Sequence, residues 1–196
     1  VRVWSHQTRE MVTQMQDHKM PTTSVLIDNT TTSILHSFSL DMTHAAYDLS
    51  RLGNISAPRR VGIHSLPSTG GFLCATQRVD NEHETIVGTG DGRLLFFDLD
   101  VSQSAVLEVT DGQKIRVTSC ECSPNGAFLA VGMGDGSVRV YRLGVQTGSN
   151  QQKLNSCVLV FSAPSHSAAV SKCTWTRDGR QLVTSTQDCD LIVWNL

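Results

Sequence analysis

The sequence predicts an all-β fold assembled from repeated units of four short antiparallel strands. Short apolar runs rich in β-branched and aromatic residues are separated by Asp-Gly and Pro-Asn-Gly turns. No helical periodicity extends over a useful length, which argues against repeat proteins built from helix pairs. One layout also recurs four times along the 196 residues: small residues, a turn aspartate, and an aromatic residue six positions later.

The composition is that of a folded globular protein without a strong electrostatic field. Apolar residues make up 39% of the chain and charged residues 17%, and sixteen Lys and Arg stand against eighteen Asp and Glu. The net charge of −2 disfavours nucleic acid as a partner, and the only local basic cluster is Arg51, Arg59 and Arg60. The longest apolar stretches are strand-sized, so no membrane partner is expected.

The N-terminus and the cysteines indicate the compartment. VRVWSHQTRE has neither an initiator Met nor the basic and apolar regions of a secretory signal. Most of the six cysteines lie in apolar, strand-like stretches, where reduced and buried thiols are expected. We therefore expect an intracellular, cytoplasmic protein of which this chain is a segment.

The repeat is defined by a turn aspartate and the aromatic residue that follows it. The four pairs are Asp41 and Tyr47, Asp91 and Phe97, Asp135 and Tyr141, and Asp188 and Trp194. A fifth, incomplete copy opens the chain as VRVW and ends at Trp4. Successive aromatic residues are 43 to 53 positions apart, a period that fits a four-stranded blade with variable loops.

Strands can be assigned to each unit in chain order. Residues 1–17 hold the end of a preceding blade, and residues 18–66 supply TTSVLIDN, SILHSFSL, HAAYDLS and RRVGIHSL. Residues 67–111 supply GGFLCATQ, HETIVGTG, RLLFFDLD and SAVLEVTD, and residues 112–164 supply VTSCECSP, AFLAVGMG, SVRVYRL and VLVFSAP. Residues 165–196 supply only VSKCTWT, QLVTSTQ and LIVWNL. The sequence thus predicts about four blades, three complete and two partial.

The chain resembles the WD-repeat (WD40) family, whose units end in Trp-Asp-like dipeptides. Here the corresponding dipeptides are Tyr-Asp, Phe-Asp, Tyr-Arg and Trp-Asn. The resemblance implies a WD40-type β-propeller. Propellers usually close with about 4 to 8 blades, and the family typically has seven, so the chain is expected to be part of a larger seven-bladed or double propeller. A self-closed ring of four blades is the alternative.

The resemblance also implies a buried, hydrogen-bonded tetrad made of a His before the first strand, a Ser or Thr, the turn Asp and the strand Trp. The last unit matches best, with His166, Thr184 or Thr186, Asp188 and Trp194. The first unit has His18, Ser37 or Ser39, and Asp41, with Tyr47 in place of Trp. The middle units keep Asp91 with Phe97 and Asp135 with Tyr141 but lack the histidine, since residues 112–116 stand where it would be expected. Their tetrads should be incomplete.

No motif in the chain predicts catalysis or a bound cofactor. GTGDG and GMGDG are each followed by another strand rather than by a helix, so they are interpreted as hairpin turns and not as phosphate loops. Cys120 and Cys122 alternate along one strand without the further ligands that a metal site needs. Because the acyl-transfer, zinc-hydrolase and Walker motifs are also missing, we expect a non-enzymatic protein with no cofactor and no metal.

The resemblance implies docking of other proteins within a multi-subunit complex, as a scaffold or adaptor. In the family, the loops before the first strands and after the second strands often meet partners. Here that face includes Lys19, Met20, Met42, Lys114 and Ile115. A second hypothesis is a structural protein of cilia or flagella that binds tubulin or axonemal proteins, because the layout VRVW, TREMV, HK and DL is similar to that of some ciliary WD-repeat proteins. A third is a ribonucleoprotein-associated role.

Overall fold

A computed structural model of the chain describes residues 1–28, 33–50, 59–65, 70–79, 84–98, 104–109, 112–144 and 157–196. Within these ranges the chain forms seventeen strands in five antiparallel sheets and no helix. The predicted all-β fold of four-stranded sheets is confirmed. The same ranges contain no helix with the length and apolar character needed to cross a bilayer.

The sheets follow one another along the chain, and each is ordered as its strands occur in sequence. An N-terminal sheet pairs β1 (Arg2–Trp4) with β2 (Met11–Gln14). Blade 1 contains β3 (Thr22–Ile27), β4 (Ile34–Ser39), β5 (Thr43–Asp48) and β6 (Arg59–Ser65). Blade 2 contains β7 (Phe72–Gln77), β8 (Glu84–Thr89), β9 (Arg93–Asp98) and β10 (Ser104–Glu108). Blade 3 contains β11 (Val117–Cys122), β12 (Phe128–Met133), β13 (Ser137–Leu143) and β14 (Cys157–Pro164). Blade 4 contains β15 (Val170–Trp175), β16 (Gln181–Thr186) and β17 (Leu191–Asn195).

The first strands of consecutive blades lie beside one another. Cys122 N donates to Thr76 Oγ1 at 3.2 Å, which joins β11 to β7. Cys173 N donates to Ser119 Oγ at 3.0 Å, which joins β15 to β11. The blades therefore stack in chain order about their first strands, and the described sheets do not close into a ring.

The core lies between neighbouring blades, and two glycines allow the close approach. A Cβ on Gly88 of blade 2 would lie 2.5 Å from Val117 Cγ1 of blade 3. A Cβ on Gly132 of blade 3 would likewise lie 2.4 Å from Val170 Cγ1 of blade 4. Both valines are fully or almost fully buried, so these glycines are required by packing rather than by a turn.

The turn after the second strand has the same backbone shape in every blade. One residue adopts positive φ in each: Met42 at 64°, Gly92 at 82°, Gly136 at 85° and Cys189 at 66°. Glycine adopts this conformation without a steric penalty, which explains the Asp-Gly dipeptides of blades 2 and 3. The GTGDG and GMGDG strings are therefore hairpin turns.

Candidate functional site

The end of the blades that carries these turns also carries the segments that lead into the first strands. We call this end the turn face. In blade 1 the leading segment is held by three contacts: Lys19 N donates to Asp41 Oδ2 at 2.6 Å, Ser39 Oγ to Met20 O at 3.1 Å, and Leu40 N to Pro21 O at 3.2 Å. The leading segment and the turn therefore form one hydrogen-bonded surface.

A histidine organises the interior of this surface in blade 1. His18 Nε2 contacts Ser37 Oγ at 2.7 Å, and His18 Nδ1 contacts Thr43 Oγ1 at 2.8 Å. Asp41 Oδ1 lies 3.6 Å from His18 Nδ1 and accepts from Thr43 N at 3.0 Å. Of the two candidate serines, Ser37 is thus the one that contacts the histidine. Thr43 is an additional member that the sequence interpretation did not include.

The carboxylate of Asp41 is held in its charged form. Burial alone would raise its pKa, but hydrogen bonds from the Thr43 hydroxyl, the Lys19 amide and the Thr43 amide lower the pKa to about 2. Asp41 is therefore ionised over the whole physiological range and anchors both the turn and the leading segment.

Tyr47 occupies the position of the tryptophan of the tetrad and makes a different contact. Its hydroxyl donates to Asp17 Oδ2 at 2.8 Å, and Arg60 contacts the other oxygen of the same carboxylate at 2.7 Å. Burial, followed by this hydrogen bond to Asp17, raises the pKa of Tyr47 to about 12. Tyr47 thus fixes the chain that precedes His18.

Blade 4 forms only part of the predicted tetrad. His166 Nε2 contacts Thr184 Oγ1 at 2.8 Å, and Trp194 Nε1 donates to the same hydroxyl at 3.0 Å. The predicted contact between Asp188 and His166 is not formed. His166 Nδ1 is buried and has no hydrogen-bond partner within the described residues. Asp188 is exposed instead.

The residue two positions after the turn aspartate accounts for this difference. In blade 1 it is Thr43, whose hydroxyl and amide both donate to Asp41. In blade 4 it is Asp190, which has no hydroxyl to donate to Asp188. In blade 1 the histidine contacts Ser37 and lies near Asp41, whereas in blade 4 the histidine and the tryptophan both contact Thr184, so the two networks use different members of the tetrad.

Blades 2 and 3 replace the polar network with apolar packing. Val87 and Val131 stand four residues before their turn aspartates, as Ser37 does in blade 1, and both valines are fully buried. Gln113 stands four residues before β11, where blade 1 has His18 before β3, and it is exposed. The valine at the Ser or Thr position was visible in the sequence, but the sequence interpretation missed it.

The remaining tetrad residues of blades 2 and 3 keep local roles. Asp91 accepts from Thr89 Oγ1, and Asp135 accepts from Ser137 N at 3.0 Å and from Ser137 Oγ at 2.7 Å. Tyr141 is buried within the core between blades 2 and 3. The side chain of Phe97 lies outside the described residues.

The five candidate docking residues fall into two groups on the turn face. Lys19, Met20 and Met42 belong to blade 1, where Met20 is 50% exposed and Met42 is half-buried against the core. Lys114 and Ile115 belong to the segment before β11, where Lys114 is exposed and Ile115 is half-buried. The structure therefore brings each group together but separates the two by blade 2.

Two cavities open beside the second group. One of about 280 Å³ lies between blades 2 and 3 and is lined by Asp91, Arg93, Glu108 and Lys114 among others. Another of about 320 Å³ includes Arg116, Val170 and Gln187 in its lining. Charges of both signs line the first cavity, so this part of the turn face is suited to polar contacts with a protein surface.

Comparison with known proteins supports the repeat that the sequence and the sheets show. Residues 104–142 and 155–195 match the family model described as WD domain, G-beta repeat. These segments run from β10 to β13 and from β14 to β17, so each takes the last strand of one blade and three strands of the next. The predicted WD40-type blades are thereby confirmed.

Several known proteins are similar in sequence to part of this chain. Echinoderm microtubule-associated protein-like 2 of Rattus norvegicus is 32% identical over 109 residues, which are 56% of this chain and 15% of the relative. Pre-rRNA-processing protein IPI3 of Mycosarcoma maydis is 30% identical over 135 residues, 64% of this chain and 20% of the relative. The 77 kDa echinoderm microtubule-associated protein of Strongylocentrotus purpuratus is 28% identical over 109 residues, 56% of this chain and 15% of the relative. The chain thus spans a minor part of the relatives that it matches.

Proposed function

Because this chain carries the repeats of the WD-repeat family, we propose that it is a non-catalytic scaffold or adaptor that binds other proteins through its turn face. The observation that carries the proposal is that the backbone of a segment with exposed side chains is hydrogen-bonded to the sheet. Met20 and Lys19 project from a segment that Asp41 and Ser39 hold in place. Binding residues on supported loops lose little conformational entropy when a partner docks.

The chemistry of the face supports a protein partner. Met20 is 50% exposed, and a flexible thioether beside a cationic side chain fits the mixed apolar and polar surfaces of protein interfaces. In the described part of the chain, the histidines of the face contact the hydroxyls of Ser37 and Thr184, which are fully buried and therefore out of reach of a substrate. These contacts support a non-catalytic role.

A second candidate is association with microtubules, which the names of two of the relatives favour. On this hypothesis the partners are tubulin or axonemal proteins, and the protein is cytoplasmic or ciliary. Association with a ribonucleoprotein is a weaker candidate, supported by the name of the third relative. Its basic cluster is reduced because Arg60 pairs with Asp17 at 2.7 Å, and Arg51 and the side chain of Arg59 lie outside the described residues.

The test is crosslinking mass spectrometry on the full-length protein from its native cells, comparing Met20→Asp with Val79→Asp. Val79 is 49% exposed at the opposite end of the blades, so the two variants add the same charge to equally exposed sites. We expect Met20→Asp to lose crosslinks to partner proteins and Val79→Asp to keep them. Loss with both variants, or with neither, contradicts docking on the turn face. Crosslinks to tubulin select the microtubule hypothesis.

A further inference from the structure

A polar cavity opens on the turn face where the first strands of blades 2, 3 and 4 lie side by side. Its volume is about 320 Å³, near the lower end of the range for ligand pockets, which suits one side chain of a partner with its neighbours. Among the described residues that line the cavity, Arg116 alone is charged. The other lining residues include Leu73 of β7, Thr118 of β11, Ser171 of β15 and Gln187.

Arg116 directly precedes the first strand of blade 3, a position at which the other blades carry no charge. The residues that precede the first strands of blades 1, 2 and 4 are Pro21, Gly71 and Ala169. The carbonyl of Arg116 accepts from Gly134 N at 2.9 Å, just as Gly71 O accepts from Gly90 N at 2.9 Å in blade 2. The backbone is therefore held in the same way in both blades, and the cation is specific to blade 3.

A glycine in the turn of blade 3 makes room for the arginine side chain. A Cβ on Gly134 would lie 2.6 Å from Arg116 Cγ and 2.9 Å from Arg116 Nε. The equivalent Gly90 of blade 2 is less crowded, since the nearest described atom to an added Cβ is Gly71 O at 3.6 Å. Gly134 thus lets the stem of Arg116 lie against the turn, which holds the guanidinium beside the cavity and lowers the entropy that Arg116 loses on binding.

The guanidinium of Arg116 is available to a partner. It is exposed and makes no hydrogen bond or ion pair with another residue of the described ranges. Asp135, the turn acid of the same blade, lies outside the lining and already accepts from Ser137 N at 3.0 Å and from Ser137 Oγ at 2.7 Å. Asp188 follows Gln187 in the turn of blade 4 and also lies outside the lining. The cavity therefore carries a positive charge that no described acid of its wall neutralises.

The rest of the lining fits an acidic side chain of a protein. Ser171 and Gln187 are exposed and supply a hydroxyl and an amide, while Leu73 is half-buried and supplies an apolar contact. A carboxylate accepts two parallel hydrogen bonds from a guanidinium and has lone pairs left for hydroxyl and amide donors. Arginine beside mixed apolar and polar groups is also a composition that protein interfaces favour.

We propose that this cavity binds the carboxylate of an aspartate or glutamate on the partner protein that docks on the turn face. Arg116 is the main contact, and Gly134 is the residue that positions it. Charge complementarity selects an acidic residue over a basic one at this place. The inference rests on the function proposed above and adds the chemistry of the partner. Met20 belongs to blade 1, outside the blades that form the cavity, so the two contacts can be tested separately.

The first experiment uses a carbodiimide, which joins a lysine amine to a carboxylate in direct contact with loss of water. Full-length Arg116→Lys protein, isolated with its partners from its native cells, is treated with the reagent and analysed by mass spectrometry. We expect an amide between position 116 and an aspartate or glutamate of another protein. Arg93→Lys is the matched control on the same face, because Arg93 lies 3.2 Å from Glu108 and coupling within the chain is expected there.

The second experiment measures binding of the captured segment, made as a synthetic peptide, to full-length variants. We expect Arg116→Gln to weaken binding about tenfold and Gly134→Ala, which displaces the arginine, to weaken it by a factor of about three to ten. Gly90→Ala, the equivalent change in blade 2, should leave binding within a factor of about two. Replacing the coupled acid of the peptide by its amide should weaken binding to the wild type but not further weaken binding to Arg116→Gln. Circular dichroism checks that each variant is folded.

Coupling of the Arg116→Lys variant only within its own chain, to a second copy or to nothing would overturn the proposal. Equal binding by Arg116→Gln, Gly134→Ala and Gly90→Ala would also contradict it. If Met20→Asp abolishes partner crosslinks while position 116 couples to no partner, the carboxylate contact is refuted and docking on the turn face stands. If Met20→Asp keeps its partners, the function proposed for the turn face fails on its own test.

Discussion

The carbonyl oxygen of His166 lies directly over Gly136, so close that a Cβ on Gly136 would be 2.3 Å from it. His166 N also donates to Gly136 O at 3.2 Å, which binds the segment before blade 4 to the turn of blade 3. Gly136 has φ of +85°, so this position combines a turn conformation with an inter-blade contact. The turn face is therefore continuous between blades 3 and 4.

Replacing Gly136 with alanine is expected to lower the free energy of unfolding by about 3 kcal/mol. The positive φ disfavours a Cβ, and the carbonyls of His166 and Ala168 are backbone groups that cannot move aside cheaply. Gly112→Ala is the matched control, because Gly112 has φ of +82° but no described atom within 4 Å of the place that a methyl group would take. Urea denaturation should show a loss of only about 1 kcal/mol for the control. Equal losses would show that the inter-blade contact is energetically unimportant.

Replacing Cys189 with glycine is expected to stabilise the protein by about 0.5–1 kcal/mol. Cys189 is exposed and adopts φ of 66°, so glycine relieves strain without removing a packed side chain. Met42 has the same backbone conformation, at φ of 64°, but packs against the core between blades 1 and 2. Thermal unfolding should therefore show a gain for Cys189→Gly and no gain for Met42→Gly. A gain with both variants would mean that the Met42 side chain contributes nothing.

Acidification is expected to destabilise the contact between blades 1 and 2. His36 Nδ1 and His44 Nε2 lie 2.9 Å apart between these blades, and both rings are buried. Burial lowers the pKa of His36 below its ordinary value of 6.5, and the nearby charge of Asp28 opposes part of this effect. Gln77 of blade 2 donates to Asp28, and Phe38 stacks on His44.

The direction in which stability changes with pH follows from the lowered pKa of His36. Below pH 6.5 the unfolded chain binds a proton at His36 more readily than the folded chain does, so stability is lost as the pH falls. Denaturation between about pH 7.5 and 5.5 should show this loss, and His36→Gln should reduce its dependence on pH. His6→Gln is the control, because His6 is exposed. Stability that rises on acidification would contradict the prediction.

Removing one partner of the buried ion pair in blade 2 is expected to be strongly destabilising. Arg78 Nη1 lies 3.3 Å from Glu84 Oε2, and both side chains are 1% exposed. Arg78 also donates to Gly144 O at 3.3 Å, which links blade 2 to blade 3. Arg78→Met should cost about 3–5 kcal/mol, because it leaves a buried carboxylate without its charge partner.

A half-exposed ion pair in the same blade provides the control. Arg93 Nη2 lies 3.2 Å from Glu108 Oε1, and Arg93 is 34% exposed. Arg93→Met should cost no more than about 1 kcal/mol in the same urea measurement. Comparable losses for the two variants would show that burial does not amplify the Arg78 contact.

The strands and the hairpin turns could be predicted because their signals are local. Short apolar runs on either side of an Asp-Gly turn define β8 and β9, and β12 and β13, without reference to the rest of the fold. The replacement of the tetrad hydroxyl by Val87 and Val131 was also available, since both stand at a fixed distance from the turn aspartate.

Other features depend on contacts between blades and could not be predicted. The burial of His36 and His44 requires blade 2 to cover them, and no pattern in β4 or β5 specifies that neighbour. The bulge at Val160 in β14 leaves no sequence signature either. Side-chain periodicity determines which face of a strand is apolar, but not what packs against it.

The incomplete tetrad of blade 4 leads to the last prediction, that Asp190→Thr stabilises the turn face. Thr43 in blade 1 shows the effect of a hydroxyl at this position, since it donates to Asp41 and contacts His18. A threonine at position 190 would remove a negative charge two residues from Asp188 and supply a partner for His166 Nδ1, which is buried without one in the described part of the chain. The expected gain is about 1 kcal/mol in the free energy of unfolding.

Asp190→Ala separates the two contributions. It removes the negative charge without adding a hydroxyl, so it should recover only part of the gain of Asp190→Thr. The chemical shifts of the His166 ring provide a second measurement, because a hydrogen bond to Nδ1 should appear in the threonine variant alone. If both variants stabilise the chain equally, the negative charge of Asp190 accounts for the whole defect, and the orphaned nitrogen of His166 costs nothing measurable.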